Sequence, residues 1–552
     1  MSEPISTSGL AAIDALLQPF NRSDAPGLVI GIAQNGRSLY RRGVGMASLE
    51  QGVANTPRTR MRIASTSKHF TALAVLLLAE DGCLHIDDAV QKHLPELPQL
   101  GADGPTLRQL MNHTGGWRGH DELWCIVNGL ALQPRGLGLP AMASQNELNF
   151  EPGTRMVYSN GAYFMLAKII ERVSGQGFDA FMKARIFEPM GMADTESVAS
   201  DLDVRAGLAG LYVPASGGQW QRGIYPCELE GGGSLVSTLD DMLRWLAHLR
   251  CSHKTVGSAS SWAQMLAPTT LSSGAVVPYG LGLFRHTYRG VEVIHHAGGV
   301  IGGTSQMLTV PAHSLDIMVM ANGAAVSPPA LAYQLIDLLL ADALPEPPEE
   351  RTPANAFPAL VGQRYHAPAT GSVIGFADVS GKLGLSWQGF TALPLRQRKD
   401  GLWLAAQDLA INALELDVSG VGATHAPDTL ALREGGHLQR FERLPATAPD
   451  IAWLAPQLCG DYRSADLDAS AQIERTDDAL QMTVQGRHGR QIGRLQALSH
   501  DVMTFTSSDP MLAALGGSSV LNIERSAGRV VGLRLDSLRT RHIHFSRQET
   551  HA

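Results

Sequence analysis

Ser65-Thr66-Ser67-Lys68 stands where an irregular segment enters an apolar run that continues to Glu80. The run is too long for a strand and predicts a helix. A serine at its start holds its hydroxyl near the positive end of the helix dipole, which favours a developing oxyanion. A lysine three residues on returns to the same face one turn later, within reach of that hydroxyl. Partly buried, its amine can lose its proton near neutral pH and act as a base. Ser-x-x-Lys also arises by chance, but this chain holds only one.

Two further motifs extend the candidate site. Tyr158-Ser159-Asn160, the sole Tyr-x-Asn, lies in a predicted loop between the turn Phe150-Glu-Pro-Gly153 and a helix starting near Ala162. A phenol beside a cationic amine ionises more easily and can carry protons, and the asparagine amide can hold both a lysine and a substrate carbonyl. His296-Ala297-Gly298-Gly299 follows the strand-like Val291–His295. Its small residues let a substrate lie along the strand edge, and a free backbone N–H there could complete an oxyanion hole. His295 beside His296 invites a metal reading, but adjacent strand residues face opposite sides and no third ligand is evident, so no metal or cofactor is expected.

Outward from these motifs, the first ~340 residues alternate helical and strand-like patterns. Residues 8–19, 162–173 and 239–250 read as helices; Gly27 to Ala33 reads as a buried strand joined through Asn35-Gly36 to a second over Ser38–Gly43. Three more strands are predicted at 291–295, 304–310 and 315–321. Strands at both ends with helices between predict an α+β domain whose terminal segments share one antiparallel sheet. A proline-rich linker follows at 344–353, and beyond it short alternating stretches predict small β-barrels. These carry a weak repeat: Leu360-Val-Gly-Gln-Arg-Tyr365 resembles Leu458-Cys-Gly-Asp-Tyr462, and Arg440-Phe-Glu-Arg443 resembles His544-Phe-Ser-Arg547. The expected domains are therefore 1–343, 354–446 and 447–552.

Composition limits the partners. A net charge of -8 without a basic stripe speaks against nucleic acid, and no apolar run approaches the ~20 residues of a membrane span. The first residues, Met-Ser-Glu-Pro-Ile-Ser-Thr, do not read as a signal peptide. Five scattered cysteines without metal-like spacing read as reduced thiols, and the cytoplasm is the expected location.

Taken together, the three motifs resemble those of the serine β-lactamase and penicillin-binding-protein superfamily, in its class C-like branch. The likeness extends to Leu110-Met-Asn-His-Thr-Gly-Gly116, Ile186-Phe-Glu-Pro-Met-Gly-Met192 and Gly232-Gly-Ser-Leu-Val-Ser-Thr238. The resemblance implies an active site between a helical cluster and an α/β part. It also implies roles: Ser65 as nucleophile, Lys68 as base or base partner, and Tyr158 as proton carrier to the leaving group. Asn160 would bind the substrate carbonyl and Lys68, His296 would support Tyr158, and backbone N–H groups of Ser65 and Gly299 would form the oxyanion hole. Gly298 is a candidate substrate contact.

The paired β domains are similar to those of the bacterial D-stereospecific aminopeptidases. This likeness implies short peptides or amides with an N-terminal D-amino acid as substrates, a homodimer, and a loop of the last barrel reaching the active site. The candidate loop is 506–517, whose single acid, Asp509, is either a partner for the substrate's amine or a turn residue. A β-lactamase-like esterase or D-Ala-D-Ala carboxypeptidase, and a non-catalytic ligand-sensing protein, are the alternatives.

Overall fold

The computed structural model describes residues 7–549 except 324, 345–350, 391, 398–402, 407–413, 478 and 517. Helix α1 (Thr7–Leu17) leads to strands β1 (Leu28–Gln34) and β2 (Arg37–Val44). The turn between the strands puts Asn35 and Gly36 at φ 52° and 75°, the left-handed pair that a two-residue hairpin turn requires. Four helices matter to the site: α2 (Lys68–Glu80), α3 (His120–Asn128), α4 (Asn160–Ser174) and α5 (Leu239–Arg250). Strands β3 (Phe284–Tyr288), β4 (Val291–Val300), β5 (Gly303–Val310) and β6 (Leu315–Ala321) precede helix α6 (Pro328–Leu339).

The strands form one antiparallel sheet in the order β3-β4-β5-β6-β1-β2, so the two ends of this region meet in its middle, as expected. Alternation along β1 supplies both cores. Leu28, Ile30 and Ile32 pack with Ile13, Leu17, Leu331 and Leu335 from α1 and α6. Val29 and Ala33 face the larger core with Leu239, Met242 and Leu246 of α5. A Cβ on Gly31 would stand 2.5 Å from Leu239 Cδ1, so only glycine lets α5 lie this close. Helix α2 is buried from Lys68 to Leu78, a helix apolar all round at the centre of the molecule.

Strand β4 runs to Val300 rather than ending at His295. The small residues Ala297-Gly298-Gly299 remain in the ladder, with Gly299 opposite Thr304. The third motif is thus part of a strand, because its neighbour β5 pairs with it along its whole length.

The C-terminal region contains two β units. One is an eight-stranded closed barrel running from Gly460–Ser464 to Ile543–Arg547. The other is a nine-stranded sheet whose edge members, Leu393–Pro394 and Arg396–Gln397, are separated in the chain only by Leu395. That sheet rolls until its edges meet at a corner of the backbone, and among the described residues no ladder crosses the seam, so of the two small barrels expected this one is a half-barrel. The weak sequence repeat has a structural counterpart. In each unit the first strand pairs with the last, Tyr365 opposite Arg443 and Tyr462 opposite Arg547. Most of the expected linker, 345–350, lies outside the described residues; Arg351 and Pro353 already bridge to Arg396 and Lys382 of the rolled sheet.

The hairpin segment Ser537–His542 of the barrel is wedged among all three units. Asn149 donates from Nδ2 to the Arg539 carbonyl at 2.7 Å and accepts from the Arg541 N–H at 2.8 Å. Arg541, fully buried, donates from Nη2 to both carboxylate oxygens of Glu434 in the rolled sheet, at 3.0 and 2.9 Å.

Candidate active site

Ser65 lies in a 3-10 turn, Ala64–Ser67, and the α-helix proper begins at Lys68. The helix expected from Ser65 onward is therefore tighter in its first turn. Three residues per turn eclipse positions i and i+3, which aims Lys68 directly at Ser65. Ala64 enters the turn at φ 48°, a left-handed conformation strained for a residue with a Cβ, and the surroundings hold it there. Thr66 donates from its hydroxyl to the His296 carbonyl at 3.2 Å, and Ser305 donates to the Ile63 carbonyl at 2.7 Å. A Cβ on Gly298 would meet Ile63 O at 2.2 Å and Ser305 Oγ at 2.4 Å. Gly298 thus lets β4 close on the turn that carries Ser65.

Lys68 Nζ lies 3.1 Å from Ser65 Oγ, donates to Asn160 Oδ1 at 2.8 Å and to the Gly232 carbonyl at 2.6 Å. Two of these partners can only accept. A neutral amine gives its two N–H groups to them and turns its lone pair towards the serine hydroxyl. Burial, with Arg539 adding to it, holds the Lys68 pKa well below the usual lysine range. Asn160 is oriented in turn: its Nδ2 donates to Asp121 Oδ2 at 2.8 Å, which fixes Oδ1 towards Lys68, and Tyr225 donates to the same carboxylate oxygen at 2.7 Å.

Tyr158 is buried above this pair, with Lys68 Nζ 4.7 Å from its ring centroid and the Arg539 guanidinium carbon 4.8 Å from it. Burial pushes its phenol up, not down, with Ser65 and Arg539 opposing the rise. The easier ionisation expected from a neighbouring ammonium is absent because burial disfavours that ammonium too. His113 lies against Tyr158, tilted by 36° with 4.2 Å between ring centroids. The Tyr279 hydroxyl lies 3.2 Å from His113 Nε2 and 3.2 Å from His296 Nε2, joining the two imidazoles. His296 Nδ1 is 2.6 Å from the Ala297 carbonyl, and burial pushes its pKa down to about 3, so it is a neutral hydrogen-bonding group. His295, on the other side of the strand, lies with its Nε2 3.2 Å from His286 Nδ1.

Ser65 opens on a cavity of about 490 Å³ between the helical part and the closed barrel. The barrel wall is made by Phe505, Ser507, Leu512, Ser537, Leu538 and Arg539. A narrower recess of about 30 Å³ beside Ser65 is lined by Asp121, Asn160, Tyr225, Glu228, Glu230 and Gly299. Where a Cβ on Gly299 would stand, nothing lies within 4 Å, so the backbone there is open to a bound molecule. Asp509 does not line the cavity. Its carboxylate accepts from Met511 N at 2.9 Å and caps the short helix Pro510–Gly516. The candidate loop reaches the cavity through Ser507 and Leu512, while the segment 537–539 supplies its charged contact. Gly517, its last residue, is outside the described residues.

The structure therefore brings Ser65, Lys68, Tyr158, Asn160, His296, Gly298 and Gly299 together and leaves Asp509 aside. Sequence reasoning missed Asp121, Tyr225, Tyr279 and Arg539. His113 stood inside a quoted stretch without a role; the other four lie outside every motif.

A family model described as Beta-lactamase matches residues 13–341. A D-aminopeptidase of Brucella melitensis biotype 2 is 28% identical over 542 residues, covering 95% of this chain and 96% of that relative. Among solved structures, an octameric penicillin-binding protein homologue from Pyrococcus abyssi shares the fold at a TM-score of 0.54 and 18% identity, over 97% of this chain and 100% of that one. A D-amino acid amidase from Ochrobactrum anthropi SV3, complexed with D-phenylalanine, does so at a TM-score of 0.51 and 21% identity, over 61% of this chain and all of that one.

Proposed function

From the premise that the chain belongs to the Beta-lactamase family, we propose that it is a serine hydrolase that releases an N-terminal D-amino acid from short peptides, amides or esters. The observation that carries the chemistry is the Lys68 amine, buried, 3.1 Å from Ser65 Oγ and held by two acceptors. Lys68 takes the Ser65 proton as Oγ attacks the carbonyl, and the Ser65 and Gly299 N–H groups receive the oxyanion. Tyr158, protonated because it is buried, hands a proton to the leaving nitrogen and is steadied by the neutral His113–Tyr279–His296 chain. Water then resolves the acyl-enzyme.

The D-aminopeptidase specificity is supported by the Brucella relative, whose likeness spans both β units, and by the acids around the small recess. Asp121 is buried with Oδ1 unpartnered among the described residues, and with Glu228 it suits a substrate ammonium better than Asp509 does, while Glu230 is already paired with Lys168. The catalytic part is read as 1–343, the rolled sheet as 354–446 and the barrel as 447–552. A homodimer belongs to the same reading, supported by exposed Val53, Leu202, Val204 and Ile224 around one surface groove. So does a cytoplasmic location, supported by five free cysteines; no helix among the described residues is long and apolar enough to cross a membrane.

Incubation with D-alanine p-nitroanilide, its L isomer and the N-acetylated D form tests the reading. Cleavage of the free D form, lost in Ser65→Ala, is expected; equal cleavage of the N-acetylated form would point to a β-lactamase-like esterase or D-Ala-D-Ala carboxypeptidase instead.

A further inference from the structure

Arg539 is held in the cavity with its hydrogen-bonding capacity unspent. A guanidinium carries five N–H donors. Among the described residues none of them makes a hydrogen bond: Nε is buried without a partner, and the ion pair to Glu122 is long, at 3.7 Å. Glu122 is a weak counter-charge. Its carboxylate is engaged by the Thr540 hydroxyl at 2.6 Å, and burial pushes its pKa up to about 7. A mostly buried cation with idle donors is costly unless an acceptor arrives.

The side chain cannot retreat easily. The Asn149 clamp on the backbone of 539 and 541, with the Arg541–Glu434 pair beyond it, fixes the segment on both sides. Its guanidinium lies over Tyr158, the group assigned to protonate the leaving nitrogen, so it stands on the leaving-group side of Ser65. The acids of the small recess lie around Asn160 and Tyr225 instead. Asp121 and Glu122 line the large cavity together with Arg539, whereas Glu228 and Glu230 line the small recess, so the guanidinium over Tyr158 is the cationic group on the leaving-group side.

We propose that Arg539 is a specificity-determining residue that receives the C-terminal carboxylate of the leaving amino acid, making dipeptides with an N-terminal D-residue and a free C-terminus the preferred substrates. The proposal rests on the hydrolase reading above and adds the identity of the leaving group. In the step concerned, the Ser65 Oγ–carbon bond forms and the peptide C–N bond breaks. The serine proton passes through Lys68 and Tyr158 to the leaving nitrogen, while the carboxylate stays ionised on Arg539. Two parallel N–H···O bonds to a planar carboxylate are what a guanidinium offers and an ammonium does not.

The test compares D-Ala-Gly, D-Ala-Gly amide and D-alanine p-nitroanilide on the full chain as wild type, Arg539→Gln and Arg539→Lys. The wild type is expected to favour D-Ala-Gly over its amide about tenfold or more in kcat/KM, mostly through KM. That ratio should fall to near one in Arg539→Gln and survive in part in Arg539→Lys. A wild-type ratio at or below one, or a ratio unchanged in Arg539→Gln, overturns the proposal. Should the Gln variant fail to fold, the wild-type ratio and the Lys variant decide. A wild type inactive on all three compounds overturns the hydrolase reading and this one with it. Cleavage of the p-nitroanilide without preference for the free carboxylate overturns the Arg539 assignment alone.

Discussion

Replacing Glu434 by Gln should unlock the barrel segment from the active site. Arg541 is fully buried and Glu434 is 1% exposed, and the two meet through both carboxylate oxygens. Among the described residues Arg541 Nε and Nη1 have no hydrogen-bond partner, so this carboxylate is the counter-charge of the whole guanidinium. It also faces Arg155, whose pKa burial and Arg541 push down to about 10. Removing one member of a buried ion pair leaves an uncompensated charge and costs about 3–5 kcal/mol. At ~1.4 kcal/mol per tenfold, the equilibrium between docked and undocked segment shifts by roughly two to three and a half orders of magnitude. Trypsin reads this directly, since the bonds after Arg539 and Arg541 are sheltered in the native protein. Glu434→Gln should be cut there rapidly and melt earlier. The double variant Glu434→Leu/Arg541→Leu should regain part of the resistance at the bond after Arg539, because the apolar pair carries no charge to desolvate while Arg155 still loses its carboxylate. A Glu434→Gln protein as resistant as wild type, or a double variant no better than the single one, would refute the reasoning.

Other outcomes follow from the same geometry. Gly298→Ala should lower kcat about 100-fold or more without unfolding the sheet, because a Cβ 2.2 Å from the Ile63 carbonyl moves the Ser65 turn, and small misplacements are that costly; pre-steady-state acylation would show it. The acid limb of kcat/KM should fall well below the usual lysine range, since Lys68 must be neutral to act: activity rises as pH passes upward through its depressed pKa. Asp121→Asn, which removes a charge that raises that pKa, should move the limb to lower pH, and a pH–rate profile decides. His296, at about 3 in the folded protein against about 6.5 unfolded, contributes stability that is whole above pH 6.5 and is lost as pH falls towards 3. His296→Gln should therefore narrow the gap between urea midpoints at pH 7 and pH 4.5. Tyr158→Phe should slow anilide cleavage far more than that of an activated ester, whose leaving group needs no proton.

Much of the site was legible because its parts are local. Ser65 and Lys68 share one turn, Tyr158 and Asn160 flank the start of α4, and the folding of α2 and β4 brings these pieces together. What escaped depends on distance in the chain. Asp121 reads as an ordinary acid in the first turn of α3, where it suits the dipole, and nothing nearby says that it orients Asn160. Tyr279 follows Pro278 and precedes Gly280, and reads as a turn tyrosine until the sheet sets it between two histidines. Alternating strands announced two β units, but whether a sheet closes depends on the pairing of its edges, and the edges at 393–397 carry no distinct pattern. The acid in the expected loop read either as a ligand or as a turn residue, and Asp509 spends its oxygen on a helix end.

The wall that carries Arg539 is made long after the serine it overlooks. At about 5–20 residues per second, roughly half a minute to a minute and a half separates the synthesis of Ser65 from that of Arg539. Through that interval the α+β part can fold around its own sheet while the cavity still lacks one side. A ribosome-bound chain would then hold an armed but unselective serine, and selectivity would be the last property this protein acquires.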